Sequence, residues 1–164
     1  MLVTRTSPIR PRPRTASVTL ELILALPVLV IALLVVIEFG VLMANLKHVA
    51  AASRDGAKLA AETAPLGAGT TVAALRSAID RRLESAGFGA GAAQGVTLRH
   101  TVGPGSVATD GICSDPTTPA MPDEAVRVTV CVELTRLAPD LLATFGFSLA
   151  GKVAEHTTTF HYER

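Results

Sequence analysis

One uninterrupted apolar run dominates the hydropathy pattern of the chain. Residues 22–37 contain only Leu, Ile, Val, Ala and one Pro, and an acid flanks the run at each end, Glu21 and Glu38. A bilayer core needs about 20 helical residues at ~1.5 Å each, which the run and its flanks together supply. The pattern predicts a transmembrane helix over residues 17–43. Its two carboxylates call for an explanation, because a charge inside a membrane is costly.

Beyond the apolar run the pattern changes to a single stripe of apolar and small residues. The stripe recurs at alternating steps of four and three residues: Leu42, Leu46, Val49, Ser53, Gly56, Ala60 and Thr63. Charged residues lie off the stripe, which is typical of a helix that packs through one face. We therefore expect one helix from about Thr19 to Ala64, ending before Pro65. Its outer part, residues 44–64, would continue the helix beyond the membrane.

A short second helix is expected after a turn at Pro65–Gly69. It spans Val72–Ala86, with a predicted buried stripe of Val72, Leu75, Ile79, Leu83 and Ala86. The glycine-rich link Gly87–Gly95 follows. Because this link lies after a helix and before a strand, and lacks a GK[ST] sequence, it does not fit a nucleotide-binding loop.

The rest of the chain predicts a small antiparallel sheet. Alternating apolar and polar residues indicate strands at 96–102 and 126–134, and a Thr-rich aromatic segment indicates a third at 157–162. Gly103–Glu124 is expected to be a loop. Leu137–Phe147 is apolar, with Pro139 suited to the first turn of a helix. The predicted class is α+β: a long N-terminal helix, a short helix and a sheet, with residues 65–164 as the folded domain.

Charge is distributed unevenly about the apolar run. Residues 1–16 carry four Arg and no acid, which leaves 11 of the 15 basic residues and all 14 acidic residues for the rest. The positive-inside rule makes residues 1–16 a cytoplasmic leader or tail. We expect a single-pass protein of the cytoplasmic membrane with an extracytoplasmic C-terminal domain. The four Arg are separated by Pro and Thr without interleaved aromatics, so no nucleic-acid binding is expected.

The two cysteines, Cys113 and Cys131, both lie in the part expected to be exported. An even count in an oxidising compartment favours one disulfide. Cys131 lies on the polar face of the second predicted strand, so a bridge would pin the preceding loop across the outer face of the sheet. Two free thiols are the alternative. A metal site is disfavoured because the pair lacks CxxC spacing.

No arrangement of residues indicates catalysis or a bound cofactor. The four histidines form neither an HExxH nor an H-x-H set, and no serine lies in a nucleophile elbow. We therefore expect a protein that is not an enzyme, with no cofactor, metal or small-molecule substrate.

Two stretches carry a resemblance to a known family. They are ASVTLELILALPVLVIALLVVIEFG and AASRDGAKLAA, in which the matching positions are Glu21, Pro27, Glu38, Phe39, Gly40, Arg54, Asp55 and Gly56. These stretches resemble the N-terminal segment of TadE-like proteins, the pseudopilins of Tad (tight adherence, Flp-type) pilus assembly systems. The resemblance implies a pilin-like fold and, as partners, membrane lipid and other pilins or pseudopilins.

The resemblance also implies processing by a prepilin peptidase on the cytoplasmic face. Cleavage would fall between Ala16 and Ser17, although Ala16 stands where the family usually has Gly. Ser17 would become the mature N-terminus and Glu21 the fifth residue. A neighbouring subunit's N-terminal amine could then neutralise Glu21, which would make this acid a device that sets the register between subunits.

Three other interpretations account for parts of the pattern. The first is a signal-anchored extracytoplasmic binding domain unrelated to pili. A cleaved secretory signal is disfavoured, because the apolar run is too long and Glu38 interrupts it. An extracytoplasmic enzyme is disfavoured by the lack of a catalytic constellation.

Overall fold

The apolar run and the stripe beyond it form one continuous helix. The computed structural model describes residues 15–62, 69–101, 105–114 and 120–162. The helices are α1 (Thr15–Glu62), α2 (Gly69–Ser85) and α3 (Leu134–Leu137), and the strands are β1 (Ala93–His100), β2 (Ser106–Gly111), β3 (Ala125–Glu133) and β4 (Val153–His161). These elements confirm the predicted α+β class. The leader up to residue 14, the helix end at Thr63 and Ala64, and the turn up to residue 68 lie outside the described residues.

The outer part of α1 is buried on the predicted stripe. Val49, Ser53 and Ala60 are almost completely inaccessible, while Lys47, Arg54 and the other charged residues of this part face solvent. Small side chains on the buried face allow the rest of the domain to approach α1 closely. The outer half of α1 is therefore the spine of the domain.

The predicted stripe of α2 packs against that spine. Val72, Leu75, Ile79 and Leu83 are buried in the same apolar cluster as the stripe of α1. A Cβ atom built on Gly56 would lie 3.0 Å from Cδ1 of Ile79, which is closer than side chains normally pack. Gly56 thus permits the close crossing of α1 and α2.

The sheet has four strands, all antiparallel, in the order β2-β1-β3-β4. The inner face of β3 supplies Val126, Val128, Val130 and Val132 to the core against the helices. On the outer face, hydroxyl pairs join neighbouring strands: Thr97 to Thr109 at 3.2 Å, and Thr129 to Thr157 at 3.0 Å. The core therefore lies between the inner face of the sheet and the two helices.

The strand β2 differs from the sequence-based expectation, which places a loop over all of Gly103–Glu124. Within that segment, Ser106–Gly111 pairs with β1 from His100 to Gly95. Alternate residues of β2 are half-buried and exposed, as on an edge strand. The pairing partner supplied by β1, rather than the composition of the segment, determines this strand.

No α-helix begins at Pro139, where the sequence favours a helix start. The chain instead forms the short α3, breaks at Ala138 and Pro139, and makes one 3₁₀ turn at Ala143–Phe145. The backbone N–H groups of Leu141 and Leu142 donate to the side chain of Glu38 on α1. Since these donors are bound to a distant carboxylate, the local sequence alone did not indicate the conformation.

The chain after β2 crosses the outer face of the sheet. It passes over Gly95, where a Cβ atom would lie 2.7 Å from the backbone nitrogen of Cys113. Cys113 and Cys131 form a disulfide with their Cα atoms 5.6 Å apart. Next, Ser114 donates to Glu155 on β4 at 2.8 Å. Residues 111–114 thus span all four strands and are covalently fixed to β3.

Candidate functional site

The N-terminal half of α1 leaves most of its large apolar side chains exposed. Large hydrophobic residues from Val18 to Met43 are largely accessible, and the most apolar 18-residue window has a mean hydropathy of 3.1 with no buried residue. In the described part of the chain, α1 is the one helix that is long and apolar enough to cross a membrane. Pro27 lies within this half without ending the helix. The exposed half of α1, residues 18–43, is the principal candidate surface.

Glu21 lies in this exposed half, one turn or so from the start of α1. Its side chain is accessible, and none of the residues that the structure describes forms an ion pair with it. The bond between Ala16 and Ser17 lies in the first turn of the same helix. A carboxylate in an apolar helix surface, without a partner among the described residues, is suited to a cationic group from another molecule.

Glu38 has a different environment. Its side chain is only 6% exposed. One carboxylate oxygen accepts the backbone N–H groups of Leu141 and Leu142, both at 3.1 Å. The structure thus shows an acid bound to the segment between β3 and β4. Hydrogen bonds to a charged acceptor are the stronger kind, so this contact holds that segment against α1.

A second hydrogen bond connects the same two elements further along the helix. The side-chain nitrogen of Asn45 donates to the carbonyl oxygen of Leu137. Sequence reasoning missed both Asn45 and the role of Glu38. The sequence does show an acid and an amide seven residues apart on one helix face. Their backbone partners are 92 to 104 positions away in sequence, so spacing alone cannot identify them.

Of the remaining motif residues, Phe39 and Gly40 lie on the exposed half of α1, and Arg54, Asp55 and Gly56 lie on its outer half. Phe39 is exposed, and a Cβ atom on Gly40 would meet no atom within 4 Å. Asp55 forms an ion pair with Arg82 of α2 at 3.0 Å, on a part of the surface where both side chains are more than half exposed. Arg54 is exposed on the outer half of α1. Of these residues, only Gly56 has a packing role that the structure explains fully.

One serine lies within hydrogen-bond distance of a histidine, as in a catalytic pair. Ser53 Oγ lies 2.7 Å from His156 Nδ1 and 2.7 Å from Thr158 Oγ1. Because Ser53 is 0% exposed, its hydroxyl cannot reach a substrate, and the cluster joins α1 to β4. Burial and the nearby positive charge of Arg54 lower the pKa of His156. No group of three or more potential metal ligands occurs among the described residues.

Comparison with known protein families gives a match that lies on α1. Residues 16–58 match the TadE-like protein family. The match confirms the resemblance over this range, which covers both halves of α1 and every motif residue from Glu21 to Gly56. No curated protein and no solved structure matches the chain.

Proposed function

We propose that this protein is a minor pseudopilin or pilus-assembly component of a tight-adherence (Tad, Flp-type) secretion system. It is anchored in the cytoplasmic membrane by the exposed half of α1, with residues 1–16 in the cytoplasm and the domain on the extracytoplasmic side. The single observation that carries the proposal is the TadE-like match on a helix whose most apolar window has no buried residue. The protein acts through contacts with other pilins or pseudopilins and has no catalytic role.

The two halves of α1 suggest which part contacts other helices. The outer half is already covered by α2, β3 and β4, with Val49, Ser53 and Ala57 fully buried. The exposed half meets the domain near its outer end, at Glu38 and Leu42, and its most apolar 18-residue window has no buried residue. In this proposal, neighbouring subunits pack against the exposed half, where van der Waals contact and polar groups hold membrane helices together.

Glu21 sets the register of that packing. After a prepilin peptidase cuts between Ala16 and Ser17, the new amine of one subunit would pair with Glu21 of the next. A buried ion pair of this kind favours one alignment, because every other alignment leaves a charge unpaired in an apolar environment. Membrane lipid and the peptidase are the other partners in this proposal.

Processing is tested by intact mass and N-terminal sequencing of the protein extracted from membranes. A chain that starts at Ser17 supports the pseudopilin. An intact N-terminus favours the alternative of a plain signal-anchored domain unrelated to pili. A start near Asn45 would mean that the apolar run is a cleaved signal and would overturn the proposal.

Assembly is tested with Glu21→Ala in cells that carry the other pilins. We expect normal membrane insertion but a several-fold loss of pilin crosslinked to or co-purified with this protein. Glu62→Ala is the matched control, since it removes an exposed acid at the other end of the same helix. Unchanged co-assembly of Glu21→Ala would contradict the register role.

A further inference from the structure

The segment between β3 and β4, residues 134–152, runs back along α1 toward its exposed half. Asn45 binds the carbonyl of Leu137, and Glu38 binds the N–H groups of Leu141 and Leu142. The two contacts on α1 are seven residues apart, or about 10 Å at the helical rise of ~1.5 Å per residue. The segment therefore leaves the level of the sheet and reaches the level of Glu38.

The tip of this segment, residues 141–150, reaches further still. Phe147 and Gly146 line a cleft together with Val35 of α1, which precedes Glu38 and belongs to the apolar run. The tip has the sequence LLATFGFSLA and carries no charged side chain, while Asp140 and Lys152 lie on either side of it. An uncharged tip is thus placed beside the part of α1 that the anchor proposal assigns to the membrane.

The tip exposes its aromatic side chains. Phe145 is 48% exposed and Phe147 is 69% exposed. They are presented by an ordered turn, because Asp140 accepts the Ser148 hydroxyl at 2.7 Å and the Leu149 N–H at 3.2 Å, and Gly146 adopts a φ of 89°. Two exposed aromatics in a fixed turn, continuous with an exposed apolar helix, form a surface that water solvates poorly.

We propose that residues 141–150 dip into the lipid leaflet on the domain's side of the membrane. This inference rests on the membrane anchor in the proposed function. Phe145 and Phe147 would lie among acyl chains beside Val35, and Lys152, at the base of the tip, would lie near headgroup phosphates. Glu38 is then solvated by protein N–H groups instead of lipid. The domain is held to the bilayer at a second point, which restricts its rotation about the anchor.

The experiment uses single tryptophans, since the chain contains none. The full-length variant Phe147→Trp is reconstituted in phosphatidylglycerol/phosphatidylethanolamine vesicles. Its fluorescence is quenched either by brominated lipid or by aqueous acrylamide. Ile112→Trp is the matched control, because Ile112 is also 69% exposed but lies at the crossing over the sheet's outer face. Val28→Trp, at a 66% exposed position within the apolar run, reports on the anchor itself.

We expect brominated lipid to quench Phe147→Trp and Val28→Trp strongly and Ile112→Trp weakly, with acrylamide several-fold more effective on Ile112→Trp. If Val28→Trp is quenched by lipid but Phe147→Trp responds to acrylamide as Ile112→Trp does, the tip lies in water and this inference alone is overturned. If Val28→Trp also escapes lipid quenching, the anchor fails as well. If Phe147→Trp is shielded from both quenchers, another protein surface covers the tip, and lipid contact is overturned.

Discussion

The two halves of α1 differ in which side chains they expose and which they bury, although they belong to one unbroken helix. From Val18 to Met43 most of the large apolar side chains are exposed. From Val49 to Ala61 the helix turns small residues inward and charged residues outward. The first half is suited to an apolar surround, and the second to a protein core on one side and water on the other.

The difference shows that apolar content and burial within the chain are separate properties. The half with the larger side chains contains an 18-residue window without a buried residue, whereas Ala, Ser and Gly residues form the packed face of the other half. Glu38 marks the boundary, because there the segment between β3 and β4 meets the helix. Perturbing the domain should therefore affect the outer half of α1 and leave the exposed half unchanged.

The largest effect is expected when the disulfide that fixes residues 111–114 is removed. Cys113 and Cys131 are separated by 18 residues in sequence. Closing a loop of that size stabilises a fold by about 3 kcal/mol on the chain-entropy estimate. Cys113→Ser should lower the domain's thermal unfolding midpoint in detergent micelles under oxidising conditions, and extraction from the membrane should not change.

The matched control for that variant is Ser114→Ala, which keeps the disulfide and removes only the contact with the exposed Glu155. Its midpoint should stay close to that of the unchanged protein. In reductant, Cys113→Ser should behave like the unchanged protein, since both then lack the bridge. A loss of equal size in oxidant and reductant would refute the covalent contribution.

A smaller effect is expected from filling the crossing of α1 and α2. In Gly56→Val the new side chain meets Ile79, which is 1% exposed and has little room to move. Overpacking of this kind costs about 1–3 kcal/mol. Hydrogen exchange of β3 and α2 amides, measured by mass spectrometry in micelles, should become faster.

Gly40→Val is the control on the other half of the same helix, because a Cβ atom there meets nothing within 4 Å. It should leave exchange in β3 and α2 unchanged. Equal effects of the two valines would mean that the halves of α1 do not differ in packing as the structure indicates.

The parts that the sequence predicted well are those with a local period. The stripes of α1 and α2 and the alternation in β1 and β3 appear in the residues themselves, and all four elements form at or near the expected positions. The residue pattern of Ser106–Gly111 does not predict the strand β2. This segment becomes a strand because it pairs with β1. Local propensity is a weak guide where tertiary pairing decides.

The candidate site shows the same limit. Glu21 could be selected from the sequence because an acid stands out in an apolar helix, and the other motif residues because they match the pattern of a known family. The partner of Glu38 could not, because Leu141 and Leu142 contribute only backbone N–H groups, which every residue except Pro has. That contact also explains why no α-helix begins at Pro139.

The smallest predicted effect is a dependence of folding stability on pH, which arises at a contact of the outer half of α1. Burial and Arg54 lower the pKa of His156 from its ordinary value of 6.5. Between that lowered value and 6.5, the unfolded chain binds more protons at this site than the folded chain. The His156 contribution to stability is therefore complete above pH 6.5 and is lost as the pH falls from 6.5 through the lowered pKa. Since the side chain is partly exposed, solvent screening keeps the loss small.

The comparison of the unchanged protein with His156→Gln isolates this site from the other histidines. Both are unfolded thermally in micelles at a series of pH values from neutral to mildly acidic. The unchanged protein should lose more stability on acidification than His156→Gln, because burial and the charge of Arg54 disfavour the protonated imidazole in the folded chain. Parallel curves would mean that His156 titrates alike in the folded and unfolded chain. The exposed half of α1 has no contact with this cluster, so membrane extraction should be the same at every pH.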